Sequence, residues 1–250
     1  MKIAVCASHV PDTASRVKVG TDEKSIDPSG VTFVINPYDE FAVEEALKTK
    51  EKLADDSEVI LLSLGGENSK ETIRKALAMG VDKGVLLKDD VPRDSIGVAK
   101  ALAEEIKTLG ADLVFFGKQS VDYDNSITGQ LTAELLNYSC ISVVVQFNLE
   151  GRKITAEREI EGGREVVETE LPAIITCQKG LNEPRYASLK GIMAAKKKEI
   201  EEKPAAQSEK MSEVIKMHMP KPKQPGRIIG TDSTAVPELV KLLREEAKVI

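Results

Sequence analysis

Tryptophan is absent from the 250 residues, and only four tyrosines and five phenylalanines are present. A stacking platform for single-stranded nucleic acid needs more aromatic surface than that. Basic residues are in the minority, 35 against 41 acidic, for a net charge of −6. No cationic field exists to hold a phosphate backbone, so nucleic acid is not an expected partner. Histidine occurs only as His9 and His218. That scarcity leaves no support for a zinc site or a Ser-His-Asp triad, and no acid–base pair or nucleophile stands out, so no catalytic residue and no metal ligand is assigned. The three cysteines, Cys6, Cys140 and Cys177, form no C-x-x-C pair. Cys6 and Cys177 sit in apolar runs and read as small core residues in a reduced compartment. No apolar run approaches a membrane span, and neither a secretory nor an arginine-rich transit pattern is visible at the start. The expectation is a cytoplasmic bacterial protein without direct membrane insertion. Walker A and G-x-G-x-x-G strings are missing too, which excludes a P-loop and a conventional dinucleotide fingerprint.

What is present is a regular alternation. Ile3–Ala7, Glu58–Leu64, Gly84–Lys88 and Asp112–Phe116 are short apolar runs of the kind buried on both faces of a sheet. Between them, Asp39–Leu53, Ser69–Met79, Ser95–Leu109 and Ile127–Leu136 carry helical spacing, two of them closed by Gly80 and Gly110. This order predicts an α/β fold, a mostly parallel Rossmann-like sheet flanked by helices. Four further strand-like runs follow, Ile141–Leu149, Lys153–Glu161, Arg164–Glu170 and Pro172–Thr176. They read as hairpins with Gly162-Gly163 as a tight turn, giving an antiparallel edge. Residues 199–226 are rich in Lys, Glu and Pro and read as an extended C-terminal arm, ending in an amphipathic helix from Pro237 to about Ala247. The predicted units are an α/β domain over 1–180, a recognition segment over 181–198, and an arm over 199–250.

Ligands of open α/β sheets bind at the carboxyl ends of the strands, near the switch in strand order. There the run Asp112–Phe116 enters Gly117–Gln130, dense in small and polar residues, and a helix opens behind it. Free N–H groups at a helix start favour phosphate. Ser126 and Thr128 add hydroxyls, and either Asp122 or Asp124 is expected to cap the helix or order the loop. Ala7–Asp12 and the Asn36-Pro37 turn should line the same edge, with Ser8 and His9 available to a ligand and Asp39 as a helix cap.

The segment Leu181–Lys198 reads LNEPRYASLKGIMAAKKK. Asn182-Glu183-Pro184 breaks regular structure, and an apolar patch of Leu189, Ile192 and Met193 precedes a basic run. An apolar anchor beside charge is suited to touching another protein.

This segment resembles the partner-recognition loop of the electron-transfer flavoprotein beta subunit. Four more strings resemble that family in the same order: Asn36–Ala46, Glu71–Gly80, Gly117–Gln130 and Ala156–Gly163. The resemblance spans nearly the whole chain. It implies an adenine-nucleotide-binding fold that holds one AMP as a structural ligand. It further implies an alpha subunit carrying the redox FAD on a mobile domain. Electrons would come from dehydrogenases, commonly the acyl-CoA dehydrogenases of fatty acid oxidation, and pass to a membrane-bound quinone oxidoreductase. By the same resemblance Asn36, Asp122, Asn125, Ser126, Ile127 and Thr128 line the AMP site, with Asp39 counted beside them and the backbone of Ala7 and Leu64 near the adenine. Leu189, with Ile192 and Met193, would dock the dehydrogenase, and Glu159 would face the alpha flavin domain.

Bifurcating relatives carry a second FAD in place of AMP, with a loop that typically reads Asp-Gly-Asp-Thr and then Val-Gly-Pro. Here Asp122-Tyr123-Asp124-Asn125 and Thr128-Gly129-Gln130 stand at those places. Tyr123 is bulkier than glycine, and Thr128-Gly129-Gln130 resembles the AMP form, which favours AMP. Ser126-Ile127 departs from the usual AMP pattern, where Asn-Gln is common. A third alternative is a stand-alone nucleotide sensor of the universal-stress type, which the arm and terminal helix argue against.

Overall fold

Odd and even positions of the first strand face opposite ways, and that alternation sorts the helices. The computed structural model describes residues 1–223 and 225–250. In the strand Lys2–Cys6 (β1), Ile3 and Val5 join one buried apolar cluster, and Ala4 and Cys6 join another. His9–Pro11 (β2) and Phe33–Ile35 (β3) pair as a small antiparallel sheet. Next come α1 (Pro37–Leu53), β4 (Glu58–Gly65), α2 (Lys70–Met79), β5 (Lys83–Lys88), α3 (Ser95–Leu109), β6 (Leu113–Gly117) and α4 (Thr128–Leu136). The first cluster receives Ala42, Val43, Ala46 and Leu47 of α1 and Ile73, Ala76 and Leu77 of α2. The second receives Ala101, Leu102 and Ile106 of α3 and Ala133 of α4. Both faces of the sheet are therefore covered, which is why its central strands are apolar throughout.

The chain continues through β7 (Ser139–Glu150), β8 (Lys153–Ile160), β9 (Gly163–Glu170), β10 (Ala173–Cys177), α5 (Leu189–Lys197), β11 (Ile200–Pro204) and α6 (Val236–Glu245). Nine strands form one sheet in the order β11-β5-β4-β1-β6-β10-β7-β8-β9. Pairing is parallel from β11 to β7 and antiparallel where β8 and β9 extend the edge. β4 lies on one side of β1 and β6 on the other, so the order switches at β1.

Local signals set most boundaries. Asp94 accepts a hydrogen bond from Gly97 N–H at 2.8 Å and opens α3, and Gly110, at φ 65°, closes it. α1 starts earlier than Asp39, because Pro37 suits the first helical turn and Asn36 is its cap.

Three expectations need correction. The run after Leu171 is not a hairpin arm. β10 inserts between β6 and β7, parallel to both, and its five residues are all buried. The turn joining β8 and β9 is Glu161-Gly162, since Gly163 already pairs with Ile160. The arm begins later than residue 199. Ile200–Pro204 is an edge strand parallel to β5, with Ile200 and Ala205 buried. Beyond it, α6 has no buried residue.

Candidate functional site

A cavity of about 590 Å³ opens at the carboxyl ends of β1, β4 and β6, at the switch point. That volume lies within the roughly 300–1,000 Å³ usual for small-molecule sites. Eight of the residues expected to hold a nucleotide line it: Ala7, Asp39, Leu64, Asp122, Asn125, Ser126, Ile127 and Thr128. Ser8 and His9 line it as well.

Asn36 does not line the cavity. It is fully buried behind the wall, where its side-chain amide donates to Gln119 O at 2.8 Å and its oxygen accepts from Val121 N–H at 3.3 Å. It holds the loop that follows β6. Asp39 is not a helix cap either. Its carboxylate accepts from Ser8 N–H at 2.8 Å and Gly117 N–H at 3.0 Å, and so joins the end of β1 to the end of β6. Burial pushes its pKa up to about 7, against the opposing pull of these donors and with a smaller push from Asp122.

The loop from Lys118 to Ile127 is shaped by its own polar groups. Asp124 and Ser126 both adopt positive φ, 52° and 54°. Asp124 accepts from Gln119 Nε2 at 2.5 Å, and Ser126 Oγ donates to Gln119 Oε1 at 3.1 Å. Asn125 Nδ2 donates to Ser95 Oγ at 3.0 Å, linking the loop to the start of α3. Neither aspartate caps α4. Its cap residue is Ile127, with no side-chain bond, so the first N–H groups of α4 stay available beside the cavity. Such a terminus suits a phosphate. Gly129 lets α4 sit close, because a Cβ there would lie 2.7 Å from Thr176 Cγ2. Ser120 Oγ, in the cavity wall, is buried without a hydrogen-bond partner. A polar ligand would satisfy it. The residues present therefore fit an adenine nucleotide in donor chemistry and in volume.

His9 is held rather than free. Nδ1 lies 3.0 Å from Thr72 Oγ1, and the ring stacks on Phe33 at 5.2 Å. Burial lowers its pKa below the ordinary histidine value, with Glu71 opposing. Cys6, also in the wall, has its thiol pushed well above the usual value, mainly by burial. Several wall residues lie outside the sequence expectation: Lys24, Arg93 and Ser95, and Lys210, Ser212 and Glu213 of the arm. No motif marks them, since they come together only through the tertiary path of the chain.

The recognition segment forms a separate surface. Ser188 caps α5 by accepting from Gly191 N–H at 3.0 Å. Leu189 is 84% exposed, and Ile192 and Met193 are exposed beside it. Gly191 lies against Ala78 at the end of α2, where no Cβ fits. Glu159 projects from β8, exposed, and accepts from Gln178 Nε2 at 2.7 Å. Among the described residues, no group of three His, Cys, Asp or Glu side chains is placed to hold a metal ion. Among the described residues, no helix is long and apolar enough to cross a membrane.

The family model for the electron transfer flavoprotein domain matches residues 24–208. The electron transfer flavoprotein subunit beta of Bradyrhizobium diazoefficiens is 39% identical over 251 residues, covering the whole of both chains. That of Bacillus subtilis is 36% identical over 261 residues, again covering both chains in full. That of Mus musculus is 39% identical over 260 residues, covering all of this chain and 99% of its own. The chain belongs to the electron transfer flavoprotein family, as one of its beta subunits.

Proposed function

We propose that this chain is an electron-carrier subunit that binds AMP structurally, supports the FAD domain of an alpha subunit and docks electron-donating dehydrogenases. The observation that carries the nucleotide reading is the uncapped start of α4 beside a cavity at the strand-order switch. Backbone N–H groups of Thr128 and Gly129 would meet the phosphate, with Ser126 and Asn125 on the rim. Ala7 and Leu64 lie at the strand ends where an adenine ring would rest. The relatives are named as subunits, which supports an alpha partner and sets aside the stand-alone sensor.

FAD held mainly by the alpha subunit would supply the redox chemistry. This chain's own residues position rather than react. Leu189, Ile192 and Met193 offer an apolar anchor to a dehydrogenase such as an acyl-CoA dehydrogenase, and Glu159 offers a carboxylate to the alpha flavin domain. Electrons would leave for a membrane-bound quinone oxidoreductase, with the carrier itself in the cytoplasm.

The test is to denature the purified alpha–beta complex, identify the released nucleotides by chromatography and count them per heterodimer. One FAD and one AMP is the expected result. Two FAD and no AMP would overturn the AMP reading and make this subunit a bifurcating redox participant, with its own flavin reduced by NADH.

A further inference from the structure

The arm does not leave the domain directly after β11. Its next residues run back across the cavity. Ala205 is buried, its N–H donating to Lys88 O at 3.3 Å, and Arg93 Nη1 donates to Ala206 O at 2.6 Å. Asp94 then takes both Met211 N–H, at 2.6 Å, and Ser212 N–H, at 2.8 Å, on the carboxylate oxygen that does not cap α3.

The other side of the crossing is a small preformed turn. Gly20 N–H donates to Ser25 O at 2.8 Å, and Asp22 accepts from the N–H groups of Lys24 and Ser25, each at 3.0 Å. Val19 and Ile26 bridge at its base. This turn meets the arm three times. Lys24 Nζ pairs with Glu213 at 2.7 Å, Lys216 Nζ pairs with Glu23 at 3.0 Å, and Met217 N–H donates to Glu23 O at 2.6 Å. Asp22, Lys24 and Ser25 from the turn, and Lys210, Ser212 and Glu213 from the arm, all line the cavity.

We propose that residues 206–217 are a strap closing one wall of the nucleotide cavity, so that bound nucleotide exchanges only when the strap lifts. The proposal rests on the nucleotide reading above. Its physical basis is the position of the fastenings. They sit at the end of β5, at the start of α3 and on the 20–26 turn, so lifting the segment opens the wall without breaking the sheet. The side-chain pairs are exposed, and each contributes modestly. The strap is therefore a kinetic barrier, weakened by salt, rather than a source of fold stability.

The test uses the full-length chain in complex with its alpha partner, loaded with its own nucleotide. Release is followed by desalting timed samples and quantifying the retained nucleotide. Glu213→Lys and Lys24→Glu each place like charges across the strap and should speed release about three- to tenfold at low salt. The swapped double variant, Lys24→Glu with Glu213→Lys, should return to within about twofold of the wild type, since the pair is restored in reverse. Single variants that release at the wild-type rate overturn the strap while leaving the nucleotide reading standing. So does a double variant as fast as the singles. A wild-type complex that carries no nucleotide removes both readings at once.

Discussion

Arg185 grips Glu44, a carboxylate on α1 whose side chain is only 4% exposed. Arg185 Nε lies 2.8 Å and Nη2 3.1 Å from its two oxygens. The Arg185 backbone N–H also donates to Glu44, at 3.1 Å, and the far edge of the guanidinium takes Glu51, at 2.6 Å and 3.2 Å. The two carboxylates hold the guanidinium firmly charged, above its ordinary range. Asn182 adds bonds to Phe41 O, at 3.0 Å, and to Glu45, at 2.9 Å. The base of the recognition segment is thus tied to the same helix whose first turn carries Asp39. Arg185→Lys keeps the charge but loses the planar fork. It is expected to cost about 1.5–3 kcal/mol, the usual size of hydrogen bonds to charged groups. Urea unfolding of wild type and variant checks the cost. Proteolysis should cut the variant faster between residues 181 and 190, and equal cutting would show that the grip does not order the segment.

Leu189 opens α5 in the middle of that segment and is left largely uncovered by the described residues. If it fills a pocket on a dehydrogenase, Leu189→Ala should weaken docking by about 2 kcal/mol, the usual size of an anchor truncation. Reduction of the complex by an acyl-CoA dehydrogenase should show a higher KM for the carrier. Nucleotide content should not change, because Leu189 is absent from the cavity wall. An unchanged KM would take Leu189 out of the docking surface.

Asp39 makes the stability of the fold depend on pH. Its native pKa, about 7, stands above the ordinary aspartate value of the unfolded chain. In the acidic range both states hold the proton. As pH rises towards and through 7, the native state keeps a proton that the unfolded state has already released, and stability is lost. Wild type should therefore lose more stability than Asp39→Asn between pH 5.5 and pH 8. The variant should also be weaker at the acid end, because one amide oxygen cannot serve both Ser8 N–H and Gly117 N–H. An unsatisfied buried donor costs about 1–3 kcal/mol. Denaturant titrations at the two pH values check both statements, and parallel pH profiles would show that Asp39 does not titrate as described.

How far the sequence foretold this molecule depended on whether a signal was local. The helix Ser95–Leu109 was legible because its apolar residues keep helical spacing and Gly110 ends it where it stands, while the Asp94 cap emerged only from the structure. The Leu113–Gly117 strand and the polar loop behind it were legible for a similar reason, since an apolar run followed by small residues marks a strand end at a site. β10 was legible as a strand but not in its place. Ala173–Cys177 reads the same whether it closes a hairpin or slips between two parallel strands, and only packing decides. β11 was hidden because an edge strand buries little. Ile200 is buried, while the next residues are Glu, Glu, Lys and Pro, which read as linker. Asp39 was placed at the site, but the sequence offered it as a helix cap and hid its link between strand ends, because its partners are backbone amides remote in sequence. The arm residues in the cavity wall left no mark in the sequence at all.

The place of β11 changes where the arm can be cut. A deletion from Lys203 onward removes the end of an edge strand and the strap. It also leaves Glu105, a buried carboxylate on α3, without its partner Lys203 at 2.7 Å. An unpaired carboxylate in that position is expected to cost on the order of 2–3 kcal/mol, and Tm should fall. A deletion from Met219 to Ile250 spares β11, the Asp94 contacts and the Lys24–Glu213 pair, and removes α6 with its exposed Val236 and Leu239. That shorter deletion should leave Tm of the domain nearly unchanged. An amphipathic helix without buried residues contributes little to its own domain, and its apolar stripe is what a partner subunit would cover. Association with the alpha subunit should therefore weaken by at least about tenfold, the size of a single lost anchor. Thermal unfolding and titration calorimetry on the two truncations separate the effects. Full association after the shorter deletion would show that the alpha subunit is held by other parts of the chain.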